Sequence, residues 1–229
     1  MKKAVCFTLL IIASLLLITA MLFTCLQFCM NQRDWYYKSY VKYGTSRETG
    51  ISDEDMTEAI FRLIDYMEGR ADSIQLSVSE NGSVVEMYNQ QEIEHMIDVR
   101  ALYQAWKNVR DYGAAAAAAI IALCICMTAP GGRIRLMSRA FITASAIFGI
   151  ALAALGIWVA VDFNSFWNGF HRLFFTNDLW LMDYNTCRMI RICPLQLFND
   201  IVIRFALMFM APFLLLLIFA TAGARRRQK

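Results

Sequence analysis

Four long apolar runs, over residues 4–30, 113–130, 140–161 and 203–222, decide what this 229-residue chain can become. Each reaches or approaches the roughly 20 residues that a helix needs to cross a ~30 Å hydrocarbon core. Lipid offers no partner for a bare peptide group, so such runs close their hydrogen bonds internally, as helices. With 58 % of residues hydrophobic and a mean hydropathy of +0.43, an ordinary soluble domain is excluded. The first run is longer than a signal-peptide core and lacks a small-x-small cleavage site. At 22–25, LFTC puts bulky Phe23 where a lipoprotein cleavage box needs a small residue. The run therefore reads as an anchor.

Charge orients the four spans. Lys2, Lys3, Arg133, Arg135, Arg139, Arg225, Arg226, Arg227 and Lys229 fall in the tails and the short second connection, with no acid among them. All 19 acids, and the other 13 basic residues, lie in or at the edge of the two remaining connections. The positive-inside rule then makes both termini cytoplasmic and turns 31–112 and 162–202 outward. The net +3 accordingly carries no message about nucleic acid. Five of the seven cysteines (Cys6, Cys25, Cys29, Cys124, Cys126) sit in or beside apolar runs, where cysteine is a small apolar residue. Cys187 and Cys193 are exterior and could be joined or free.

The first exterior stretch, 31–112, is long enough for a small extracytoplasmic α+β cap but not for a large core of its own. Trp35, Tyr36, Tyr37 and Tyr40 read as an aromatic belt at the outer interface. SDED at 52–55 opens a helix with Met56, Ile60, Leu63, Ile64 and Met67 on one face, ended by Gly69. The segments 74–78 and 84–88 alternate, and Asn81-Gly82 joins them as a hairpin. NQQE at 89–92 is a second capping box, and its helix leads into the second span. The expectation is an all-α membrane protein: an antiparallel four-helix transmembrane bundle with that small cap. Its divisions are 1–30, 31–112, 113–162, 163–202 and 203–229.

The chemistry-bearing residues lie outside the spans. The stretch 163–183, FNSFWNGFHRLFFTNDLWLMD, steps its aromatics by three and four and includes His171. Trp167, Phe174 and Phe175 lie at helical spacing from His171, so the imidazole shares the greasy side. Asn177, Asp178 and Trp180 follow it. The other histidine, His95, has Asp98 at i+3, a carboxylate that could orient the ring and raise its pKa. There is no Gly-x-Ser-x-Gly elbow, no His-Glu-x-x-His zinc helix and no phosphate loop. What remains is His95 with Asp98 on one exterior segment, and His171 with Asn177, Asp178, Trp180 and Trp167 on the other. Each also has a plain structural reading, as a solvated helix pair or an interfacial anchor.

Two pieces, EHMIDV at 94–99 and FHRLFFTNDLW at 170–180, resemble the two signatures of the bacterial lipoprotein intramolecular transacylases. The four-span layout with a large first outer loop is similar as well. The resemblance implies an enzyme that moves the sn-2 acyl chain of a lipoprotein's diacylglyceryl-cysteine to that cysteine's α-amino group. It implies His95 and His171 as catalytic residues, diacylglyceryl lipoproteins and membrane lipids as partners, and no cofactor. His171 is assigned the base, and His95, charged by Asp98, the electrophilic role. Two rival readings stand beside it. One is a metal-dependent lipid hydrolase using His95, Asp98, His171 and Asp178; the other is a non-catalytic four-span partner protein.

Overall fold

The computed structural model describes residues 2–225, so Met1 and the tail residues Arg226, Arg227 and Lys229 lie outside the described residues. In chain order it holds α1 (Lys2–Met30), α2 (Arg33–Tyr43), α3 (Thr45–Thr49), α4 (Asp53–Glu68), β1 (Ser77–Glu80), β2 (Ser83–Glu86) and α5 (Gln90–Met127). A 3₁₀ turn at Pro130–Gly132 then leads to α6 (Arg133–Val161), α7 (Phe163–Phe174), α8 (Arg188–Arg191) and α9 (Leu195–Ala224). The four helices long and apolar enough to cross a membrane are α1, α5, α6 with its preceding turn, and α9. They carry the four apolar runs. The second run and the charged helix before it are one uninterrupted α5 of 38 residues. No proline interrupts it, and Gly113 is followed by six alanines that favour the helix. At 1.5 Å per residue α5 measures about 57 Å, so only part of it can be a span.

The chain divides into two compact units. The first comprises the residues up to Cys25, Lys107–Asn168, and those from Ala206 onward. Its buried centre is Cys6, Leu10, Cys124 and Ala140, small or flexible side chains that let helices approach closely where lipid supplies no hydrophobic drive. On α9, Phe209 stacks on Phe213 with centroids 5.4 Å apart. Pro212 lies inside α9 without ending it. A proline has no N–H to give to the carbonyl four residues back, here Met208. Cys25 Sγ donates to that Met208 carbonyl at 3.7 Å, a replacement from a neighbouring helix.

The second unit comprises Leu26–Trp106 and Gly169–Phe205. Its core gathers Tyr36, Tyr40, Ile51, Met56, Ile64, Tyr88 and Ile192, among others. Here the structure corrects the sequence reading. Tyr36 and Tyr40 are not an interfacial belt but core residues of α2, 3 % and 0 % exposed. Their i, i+4 spacing puts both on one face, and the Tyr40 hydroxyl donates to the Ile192 carbonyl at 2.9 Å. In α4, Ser52 is the N-cap as its box implies, accepting from Asp55 N at 3.0 Å. The hairpin pairs Ser77 with Glu86 through Glu80 with Ser83, shorter than the sequence spans. Asn81 and Gly82 turn it at φ 52° and 83°, the positive angles a two-residue type I′ loop needs.

Two features of this unit carry stability predictions. Gly50 sits at φ +71°, and a Cβ there would meet Asn81 Oδ1 at 2.3 Å. Gly50→Ala therefore forces both a left-handed alanine and a displaced Asn81 side chain. It is expected to cost about 2–3 kcal/mol, read as a lower thermal midpoint in detergent. Glu68, its side chain 4 % exposed, accepts from Gln27 Nε2 at 2.8 Å, Asn31 Nδ2 at 3.4 Å and the Tyr103 hydroxyl. Glu68→Ala strips three donors of a charged acceptor and should cost about 2 kcal/mol, while Glu68→Gln should keep part of that. Native melting of Glu68→Ala would show that the carboxylate is not the tie between these segments.

Candidate active site

The site grows from the first turn of α5. Asn89 and Glu92 cap it reciprocally: Glu92 N donates to Asn89 Oδ1 at 3.0 Å, and Asn89 N to Glu92 Oε2 at 2.7 Å. Glu92 is fully buried, and its second oxygen accepts from Met189 N at 2.6 Å. Burial raises its pKa, with the two backbone donors and then Arg188 and Arg191 pulling the other way. The turn is thereby fixed to the chain entering α8. That chain is held again at Glu80, which takes Arg188 and Arg191 at 2.6 Å and 2.8 Å. Burial pushes the Glu80 carboxyl up, but the two guanidiniums outweigh it and hold it below the usual range.

His95 follows on the next turn, 7 % exposed, and His171 arrives from the last turn of α7, 5 % exposed. The two rings lie 6.3 Å apart between centroids at 28°, a loose stack. Trp180 also stacks on His171, at 4.8 Å and 27°. Phe175 meets both imidazoles, edge-on to His95 at 5.2 Å and tilted to His171 at 5.6 Å. The protein's only two histidines, 76 positions apart in sequence, thus share one aromatic enclosure.

The electrostatics differ from the sequence expectation. Burial first, and then the neighbouring His171, lower the His95 pKa; Asp98 only partly opposes them, and together they leave it at about 4. His95 is therefore neutral at pH 7, not an imidazolium held charged by Asp98. Asp98 instead accepts from Asn177 Nδ2 at 2.8 Å through Oδ2. His95 Nδ1 is buried and has no hydrogen-bond partner among the described residues.

Of the residues the sequence singles out, the structure brings together His95, Asp98, His171, Asn177 and Trp180. Asn177 Oδ1 accepts from Leu179 N at 3.1 Å, and its carbonyl accepts from Trp180 Nε1 at 2.9 Å, so this one residue shapes the turn that presents the indole. Asp178 is exposed, its carbonyl closing the turn with Leu181 N at 3.0 Å. Trp167 is 38 % exposed, stacks on Phe163 at 5.8 Å and belongs to the first unit. Among the described residues, no three His, Cys, Asp or Glu side chains form a group that could hold a metal ion. Cys187 and Cys193 are free thiols. Sequence reasoning passed over Phe175 as a site residue, although it stands at i+4 from His171. It also passed over Gln91 at i−4 from His95, whose side chain reaches the Trp180 turn.

Residues 11–198 match the family model for lipoprotein intramolecular transacylase Lit. No curated protein sequence matches the chain. Among solved structures, the fold is similar to the membrane integral lipoprotein intramolecular transacylase Lit from Bacillus cereus. The TM-score is 0.75 at 15 % identity, over 95 % of each chain. Forms of that Bacillus cereus protein with one histidine replaced by arginine or by alanine give TM-scores of 0.71 at 16 % identity. They cover 97 % of this chain and 92 % or 94 % of theirs.

Proposed function

This chain belongs to the lipoprotein intramolecular transacylase family, a family of membrane enzymes, and from that premise we propose a specific reaction and two histidine roles. The substrate is a lipoprotein whose N-terminal cysteine bears a diacylglyceryl group. The cysteine's α-amine attacks the sn-2 ester carbonyl, and a C–N bond forms while the C–O bond to glycerol breaks. Ester-to-amide transfer runs downhill, so no nucleotide is required. Because both reacting groups reside in one molecule, holding them in attack geometry supplies much of the rate, on the order of 7–11 kcal/mol for well-oriented partners.

His171 accepts the ammonium proton and returns it to the departing glycerol oxygen. An α-amine of pKa ~7.7 and an imidazole of pKa ~6.5 are near enough for that exchange. His95, neutral at working pH, donates an N–H to the developing oxyanion; a neutral imidazole is the weaker acid but keeps its proton through the turnover. Asp98, Asn177 and Trp180 support the two rings. The observation that carries this reading is the 6.3 Å approach of the only two histidines in the chain.

The one-sided distribution of nine basic residues against 19 acids supports an antiparallel bundle with both termini cytoplasmic and 31–112 forming an extracytoplasmic cap. The two histidine-bearing segments then face outward at the bilayer rim. In liposomes, a synthetic diacylglyceryl lipopeptide should convert to an isomer of unchanged mass. Fragment ions should place one acyl chain on the N-terminal nitrogen. Release of free fatty acid with no N-acyl product would make the protein a hydrolase and sink the proposal.

A further inference from the structure

The turn that carries Trp180 is gripped from α5 by the side chain of Gln91. Gln91 Nε2 donates to the Leu179 carbonyl at 3.0 Å and to the Leu181 carbonyl at 3.1 Å. These are the two carbonyls flanking Trp180, and a primary amide has two hydrogens to give them. Farther along α5, Asp98 takes the Asn177 amide at 2.8 Å. Residues 91, 95 and 98 fall at i, i+4 and i+7, so the face that presents His95 also holds both ends of the 177–181 turn. The indole so held is buried and stacks on His171 at 4.8 Å, which in turn stacks on His95 at 6.3 Å. One helix therefore sets its own histidine and, through Trp180, bears on the other ring.

From this geometry we infer that Gln91 is a positioning residue for the transacylation proposed above: its forked grip on the carbonyls of Leu179 and Leu181 fixes Trp180, and through Trp180 the place of His171 relative to His95. The inference rests on that reaction for its kinetic arm only. Gln91 contributes no proton to the proposed transfer; its amide is spent on the two carbonyls. Its effect belongs in kcat, since the imidazoles act on the reaction and not on the anchoring acyl chains. A displacement near 1 Å at a remote support can cost about 10²-fold in rate.

The test uses the full chain in liposomes: the native protein, Gln91→Met and Gln91→Glu, each with and without Trp180→Phe. Gln91→Met keeps length and volume but donates nothing, Gln91→Glu turns two donors into acceptors facing carbonyls, and Trp180→Phe supplies the emission background. Before any substrate is added, the emission of Trp180 is taken as the difference between each protein and its Trp180→Phe partner. The stack on His171 and the held turn set the surroundings of that indole, so the difference spectrum should depart from the native one, in maximum and intensity, in Gln91→Met and Gln91→Glu. With the diacylglyceryl lipopeptide, kcat should fall about 10- to 100-fold in Gln91→Met with KM within about 3-fold, and further in Gln91→Glu. Native emission and native kcat in Gln91→Met would overturn the inference. So would a loss confined to KM. If His171→Ala retains full activity while Gln91→Met still changes the Trp180 emission, the reaction assignment fails and the positional role of Gln91 stands. Circular dichroism and melting of Gln91→Met separate misfolding from misplacement; a variant that unfolds outright would show Gln91 to be a fold residue, contrary to the inference.

Discussion

His171→Ala is expected to lower the single-turnover rate of lipopeptide conversion by about 10²–10⁴-fold, the span usual for loss of a positioned general base. His95→Ala should lower it by about 10²–10³-fold, the usual consequence of losing one donor to an oxyanion. Both rings are buried in one enclosure and neither is on the surface, so residual bulk water is a poor substitute for either. The double variant should be little slower than His171→Ala alone, because residues acting on one step as a unit are strongly non-additive. KM should move little, since the acyl chains provide the binding. The readout is N-acyl product by fragment-ion mass spectrometry at saturating lipopeptide, with folding checked by thermal melting. Either single variant converting substrate at the native rate would remove its histidine from the chemistry.

The sequence made much of this legible, for identifiable reasons. Long apolar runs have no competing structure in a membrane protein, so the apolar stretches of α1, α5, α6 and α9 follow from hydropathy alone. The Asn89–Glu92 box closes in both directions and Ser52 caps α4 from its hydroxyl, since a Ser or Asn at such a position can satisfy an orphan N–H group in few other ways. The Asn81-Gly82 turn was equally readable. The aromatic face of α2 was misread because Trp and Tyr just past an apolar run suit both an interface and a core. Only the fold reveals that Ile192, 152 positions after Tyr40, waits for its hydroxyl.

The two histidines stand out in the sequence as candidates, but neither their approach to each other nor their electrostatics could be read there. Asp98 at i+3 is visible in sequence, whereas burial of His95 and the approach of His171 depend on two distant segments meeting. The two stronger influences come from outside the local chain, so the local carboxylate lost. Gln91 was overlooked for a similar reason: glutamine carries no chemical signature, and its two acceptors are backbone atoms 88 and 90 positions away.

Acid should destabilise the protein through His95 in particular. Its folded pKa of about 4 lies below the ordinary value of 6.5, because burial and His171 disfavour the charged ring more than Asp98 favours it. The unfolded chain then binds the extra proton more readily, so stability is full above about pH 6.5 and falls as the pH drops toward 4. A shift of that size corresponds to roughly 3 kcal/mol when complete, and on the order of 2 kcal/mol after allowance for residual solvent screening. His95→Gln has no such proton to take up. Its melting temperature in detergent should therefore decline less than the native protein's between pH 7 and pH 4.5, while carboxylates common to both cancel in the comparison. The same neutrality bears on turnover: His95 should keep one N–H and leave its second nitrogen unprotonated down to about pH 4, so any loss of rate between pH 7 and pH 5 must arise elsewhere than in His95. Parallel pH–melting curves for the native and His95→Gln proteins would mean that the ring takes its proton as freely in the fold as outside it, and the neutral-donor role would fall with that result.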